Sequence, residues 1–217
     1  MSTAYTLYIG SKNFSSWSLR PWLVLKVARL AFVEAMIPLR QAQTKARIAA
    51  VSPGGKVPAL NVQEDGQSYT VWDSLAICET IADRHPDAQL WPADPRDRAE
   101  ARSMVAEMHS GFTDLRKHLP MDLAHRYPTP ELDNAVRTQI ARIVSMWETV
   151  LKRHDGGFLF GRFSIADAFY APVATRFETY SVGLPAVAQA YTQRICALPA
   201  MREWTAQAKA EQANAVR

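Results

Sequence analysis

The chain has 217 residues, enough for one large domain or two small ones with a buried core. Apolar residues make up 48% and charged residues 21%, and the net charge of +4 is spread rather than clustered, which describes an ordinary globular protein without a basic stripe for a nucleic acid. No run approaches the roughly 18 apolar residues that would cross a membrane, and the start "MSTAYTLYIGSKN" lacks a basic stretch before an apolar core, so neither a membrane partner nor a signal peptide is expected.

Residues 4–9, "AYTLYI", alternate and are rich in strand formers. Residues 16–31 follow at mostly helical spacing, with Pro21 early enough to be tolerated, and 33–38 read as a second strand. A polar stretch, "RQAQTKARIAAV", is expected to be helical. "VPALNVQ" and "SYTVW" are strand-like and flank the turn signal "EDGQ", and "DSLAICETIADRH" starts as a capped helix should. Residues 86–98, "PDAQLWPADPRDR", concentrate three prolines among charges, as an inter-domain linker does. Beyond it Val105, Met108, Phe112, Leu115 and Leu119 predict one long helix. Val136, Ile140, Ile143, Trp147, Val150 and Leu151 predict a second, and three more follow from residues 164, 185 and 199. The predicted fold class is an α/β unit over 1–85, a linker over 86–97 and an all-helical unit over 98–217.

Only Cys78 and Cys196 occur, each inside an apolar helical pattern. That fits reduced, buried thiols of a cytoplasmic protein, and no Cys/His cluster implies a metal. The chemistry-bearing stretches lie elsewhere. In "NFSSWS", Ser15, Ser16 and Ser18 join a strand to a helix, and capping is their simplest use. In "SPGGKVPAL", Pro58 at a strand start reads either as an ordinary trans loop or as a cis turn. The cis form would leave the Val57 N–H and C=O facing outward, where a short extended peptide can pair with them. Asp73 and Ser74 either cap the helix that follows or lend its positive end to a bound carboxylate, with Asp73 on an ammonium of the same ligand.

Taken together these stretches resemble the glutathione transferase superfamily over essentially the whole chain. "SSWSLR" is similar to the "SSCSxR" turn of the zeta class, the maleylacetoacetate isomerase-type enzymes, and "SIAD" at 164–167 resembles the superfamily's helix-capping box. The resemblance implies a thioredoxin-like domain, a helical domain, glutathione bound between them as co-substrate without a metal, and a homodimer. It implies that Ser15, with Ser16 as runner-up, donates a hydrogen bond to the glutathione sulfur. It also implies that Val57 and Pro58 pair with the cysteinyl part, that Asp73 and Ser74 hold the γ-glutamyl end, and that Lys56 meets the glycyl carboxylate. Trp17, Met104, Met108, His109, Phe112 and Arg116 are the candidates to line the site of a small hydrophobic electrophile. His109 and Arg116 are expected two turns apart on one side of the first long helix. Trp17 stands where the zeta-class turn has cysteine, so conjugation ranks ahead of glutathione-dependent cis–trans isomerisation. A non-catalytic binding module is the third reading. Tyr5 and Tyr8 lie inside the first strand, which disfavours a tyrosine at the sulfur.

Overall fold

In the computed structural model, which describes residues 3–155 and 157–215, alternation does to the first strand what it predicts. β1 (Ala4–Gly10) buries Tyr5, Leu7 and Ile9 and turns the residues between them outward. α1 (Ser16–Val27) returns the chain to β2 (Val33–Ile37), which runs parallel to β1 with Tyr8 opposite Ala35. The predicted polar helix shrinks to α2 (Thr44–Ala49). β3 (Ala59–Glu64) lies antiparallel to β1, with Leu7 opposite Leu60, and β4 (Gln67–Val71) completes the sheet in the order β2-β1-β3-β4. Asp65 and Gly66 both take positive φ, 52° and 76°, the geometry of a two-residue hairpin. α3 (Ser74–Arg84) then packs beside α1. The thioredoxin-like arrangement expected of the first half is therefore present.

The helical half comprises α4 (Pro95–Ser110), α5 (Thr113–His118), α6 (Asn134–Leu151), α7 (Ile165–Thr179), α8 (Ala186–Ala197) and α9 (Pro199–Ala215). One prediction is corrected here. The stripe from Val105 to Leu119 is not one helix: α4 ends at Ser110, Gly111 is extended and Phe112 is left-handed at φ 55°. Gly111 is needed at the break, because a Cβ there would meet the Glu107 carbonyl oxygen at 2.8 Å. The stripe residues are all buried even so, because α5 resumes with the same face turned inward.

α1 and α7 are buried on nearly every side, as expected of helices enclosed by others. α1 covers α3 and β1 on one side and meets α7 and α9 on the other. In the helical core Trp147 packs edge-on to Tyr191 at 4.7 Å and to Tyr170 and Phe177 at 5.7 Å. The capping box forms as predicted, and Asp167 also accepts from Leu159 N at 3.0 Å and the Tyr191 hydroxyl at 3.0 Å. Burial raises its carboxyl to about 6.

The proline-rich segment is no loose tether. Leu90 is buried, its carbonyl accepts from Ile165 N at 2.9 Å, and the Trp91 indole donates to Glu79 at 3.0 Å. A second tie joins the ends of the chain. Lys12 is buried between Trp22 and Trp204, its ammonium on Glu34 and Gln207. Its N–H donates to Glu211 at 2.8 Å, and its carbonyl accepts from the Trp204 indole at 3.0 Å. Among the described residues no helix is long and apolar enough to cross a membrane, and no group of His, Cys, Asp and Glu could hold a metal.

Candidate functional site between the two halves

The turn after β1 is fixed from both halves. Asn13 accepts from Leu123 N and Ala124 N at 2.7 and 2.8 Å and donates to Asp122 at 2.9 Å. Phe14 N and Ser15 N both bond the Ser11 carbonyl. This leaves Ser15 at the N-cap of α1, where a serine ordinarily bonds a backbone N–H of the first turn. It does not: the Ser15 hydroxyl makes no cap bond and lies 2.7 Å from Ser18 Oγ instead. Ser18 Oγ in turn accepts from Gly10 N at 3.1 Å. All three serines are buried, and the Ser16 hydroxyl has no hydrogen-bond partner among the described residues. Pro21, in the next turn, withholds the N–H that would bond the Trp17 carbonyl.

Trp17 is half-buried and gathers charge around its ring. The Arg20 guanidinium lies 4.0 Å from its centroid and 4.6 Å from that of Phe169, Arg116 approaches to 5.4 Å, and His109 meets it edge-on at 5.2 Å. Arg20 is fully buried and none of its three side-chain nitrogens has a partner among the described residues. Burial, and then the charges of Arg176 and Arg116, push it down to about 9. Burial also lowers Arg116, which donates to the Met108 carbonyl at 3.2 Å.

Across the cleft, the Val57–Pro58 and Trp72–Asp73 peptides are cis. The Val57 N–H and C=O have no hydrogen-bond partner among the described residues. The Trp72 ring lies against Gly54 so closely that a Cβ there would meet Cδ1 at 2.6 Å, which ties the loop carrying Lys56 and Val57 to the start of α3. Asp73 is the N-cap of α3, accepting from Leu75 N at 2.9 Å. Ser74 is the first helical residue rather than a cap, and its buried hydroxyl is unpartnered among the described residues. His109 Nε2 reaches Asp73 Oδ2 at 3.0 Å from the last turn of α4.

The structure thus brings Trp17, His109, Arg116 and Asp73 to one place. Because the long helix breaks at Gly111, His109 and Arg116 stand on two helices and still converge on the same indole. Met104, Met108 and Phe112 are buried in the core. Lys56 is exposed, with no ion pair among the described residues. Sequence reasoning missed Asn13 and Phe169 as parts of the site, gave Ser18 only a cap or first-turn place, and counted Arg20 with Arg116 as the cations open to a dicarboxylate without foreseeing that Arg20 is buried. The available signal was an arginine inside an otherwise apolar helix. It also missed a recess of about 270 Å³ lined by Phe14, Arg40, Met121, Tyr127 and Tyr180, with Arg40 4.2 Å from the Phe14 ring. A larger groove of about 710 Å³ along α6 shares no residue with the site.

Comparison with known proteins gives two family matches. Residues 14–84 match the model of the glutathione S-transferase N-terminal domain, and residues 98–207 that of the glutathione S-transferase C-terminal domain. A probable maleylacetoacetate isomerase of Caenorhabditis elegans is 30% identical over 176 residues, 79% of each chain. The crystal structure of maleylacetoacetate isomerase from Anaeromyxobacter dehalogenans, with glutathione in its active site, superposes with a TM-score of 0.68 at 27% identity over 94% of this chain and 95% of that one. A glutathione transferase homologue from Burkholderia, also with bound glutathione, has a TM-score of 0.70 at 24% identity over 95% and 98% of the two chains and shares the fold.

Proposed function

Because the chain belongs to the glutathione S-transferase family through both of its halves, we propose that it binds glutathione across this cleft and activates its thiol with the Ser15 hydroxyl for attack on a hydrophobic electrophile. The observation that carries the reading is an N-cap serine released from capping and bonded to a second hydroxyl. Ser18 has one lone pair engaged by Gly10 N–H; when it turns its own proton toward Ser15 Oγ, the Ser15 proton is free for an incoming acceptor. A thiol ordinarily ionises near pH 8.5. A hydroxyl donating to the sulfur, together with the positive end of α1, favours the thiolate, which is the nucleophile. Serine then acts as a donor, needing no histidine or aspartate partner. The C–S bond forms as the bond to the leaving group breaks with its electron pair, and the thiol proton goes to solvent.

The rest of the cleft suits a small anionic peptide with one ammonium. Val57 offers an unpaired N–H and C=O, and Asp73 offers a carboxylate. The γ-glutamyl carboxylate would fall to Ser74 and the N-terminus of α3, with Lys56 on the glycyl end. Trp17, with His109 and Arg116, would wall the electrophile. We place the division between the halves at 86–97 and take the protein as a cytoplasmic homodimer, the latter open to sedimentation. Retention on immobilised glutathione and conjugation of an aromatic halide test the reading; retention without conjugation favours a binding module, and loss of both overturns it.

The names of the relatives favour a second reading, glutathione-dependent cis–trans isomerisation of a dicarboxylic enone. Arg20 and Arg116 would supply positive charge for such a substrate, whereas Trp17 fills the place of the zeta-class cysteine. Turnover of a cis enone dicarboxylate against an aromatic halide separates the two.

A further inference from the structure

The contact between His109 and Asp73 spans the boundary between the halves, and the reading above gives His109 no part in glutathione binding. Asp73 is more than half exposed and is held by two donors. Its Oδ1 accepts from Leu75 N at 2.9 Å, and its Oδ2 faces His109 Nε2 at 3.0 Å. A carboxylate accepts about four hydrogen bonds, so room remains for a ligand donor. With Leu75 alone, a single cap bond would hold Oδ1 and leave the carboxylate free to turn about it.

His109 is itself fixed. Its ring stands edge-on to Trp17 at 5.2 Å and tilted against Phe169 at 6.2 Å. Its Nδ1 is buried and has no partner among the described residues. The tautomer with the proton on Nε2 matches these partners: Nε2–H donates to Asp73, and Nδ1 needs no acceptor. A donor of this kind orients the carboxylate without cancelling its charge. A lysine in its place would orient it and compete with a ligand ammonium.

We propose that His109 is a positioning residue that aims the Asp73 carboxylate at the γ-glutamyl ammonium of glutathione from the opposite half of the molecule. The inference rests on the reading that Asp73 holds that ammonium. Binding of glutathione and of glutaryl-cysteinyl-glycine, the same peptide without its amino group, is measured by calorimetry on the full chain. His109→Asn keeps a polar side chain that is too short to reach Asp73, and His109→Gln carries its donor nearer the place of Nε2. The Asn variant should bind glutathione roughly tenfold more weakly and the des-amino peptide unchanged, and the Gln variant should recover most of the loss. Equal loss for both peptides, or for both variants, would reduce His109 to packing and overturn the proposal, as would no loss at all. Asp73→Asn is the separate control. If Asp73→Asn weakens both peptides equally or neither, the assignment of Asp73 falls; if it weakens glutathione alone and His109→Asn does not, only the positioning role falls.

Discussion

Replacing Ser15 by alanine should raise the pKa of the bound glutathione thiol while leaving the fold intact. A hydrogen bond to a charged group contributes about 1.5–3 kcal/mol, and about 1.4 kcal/mol corresponds to one pKa unit, so the thiol should rise by about one to two units. The cost to folding is small for a structural reason. Ser15 makes no cap bond, so the usual loss of about 1 kcal/mol at an N-cap does not arise. Ser18 and Gly10 also keep their mutual bond when the Ser15 hydroxyl is gone. The assay is the pH profile of kcat/KM for the electrophile at saturating glutathione, joined to titration of the thiolate's ultraviolet absorbance. Below both pKa values the variant should be about 10- to 100-fold slower, and the two profiles should converge at alkaline pH. Ser16→Ala, which removes a hydroxyl without a partner, should leave the profile in place. An unmoved profile in Ser15→Ala refutes the mechanism, and a profile moved only by Ser16→Ala places the contact one residue further along.

Ser18→Ala should shift the same profile by a smaller amount and cost about 1–3 kcal/mol of stability in denaturant unfolding, because it leaves the Gly10 N–H buried and unpaired. Ser74→Ala should weaken glutathione binding in calorimetry without lowering Tm, since its hydroxyl bonds nothing among the described residues; unchanged affinity would leave that residue without a role in the site. Asp167→Asn should destabilise the protein at every pH, because an amide cannot accept from Ser164, Leu159 and Tyr191 together. The folded carboxyl lies at about 6 against an ordinary value of 3.8, so its proton-linked contribution is full below about 4 and is lost as pH rises through about 6. The gap between the unfolding midpoints of the parent and Asp167→Asn should narrow over that interval, and a gap that widens would contradict the sign.

Local patterns in the chain revealed the elements, and what they missed has one physical cause. Strand alternation in "AYTLYI", the Asp-Gly hairpin and the "SIAD" box depend on neighbours a few residues apart, and each formed as expected. The break at Gly111 was invisible because α5 resumes the apolar stripe in phase, so the pattern of burial reads through a change of helix. The site depends on longer reach. Ser15 meets Ser18 within one turn, and the sequence placed that turn correctly. The contacts of Asn13 with 122–124 and of His109 with Asp73 cross from one half to the other, and no periodicity encodes them. Arg20 shows the same limit: its place in an apolar run was legible, while its burial between Trp17 and Phe169 depends on α7 arriving from far along the chain.

The tie at Lys12 bears on the order in which the protein can be completed during synthesis. The strand and helix that flank the serine turn leave the ribosome long before the residues that clamp the turn's entrance, Trp204, Gln207 and Glu211 of α9. Until α9 emerges, Lys12 has only Glu34 as a counter-charge and Trp22 lacks its facing indole. A nascent chain therefore carries Ser15, the residue proposed to activate the thiol, in an unfinished frame until α9 docks on Lys12.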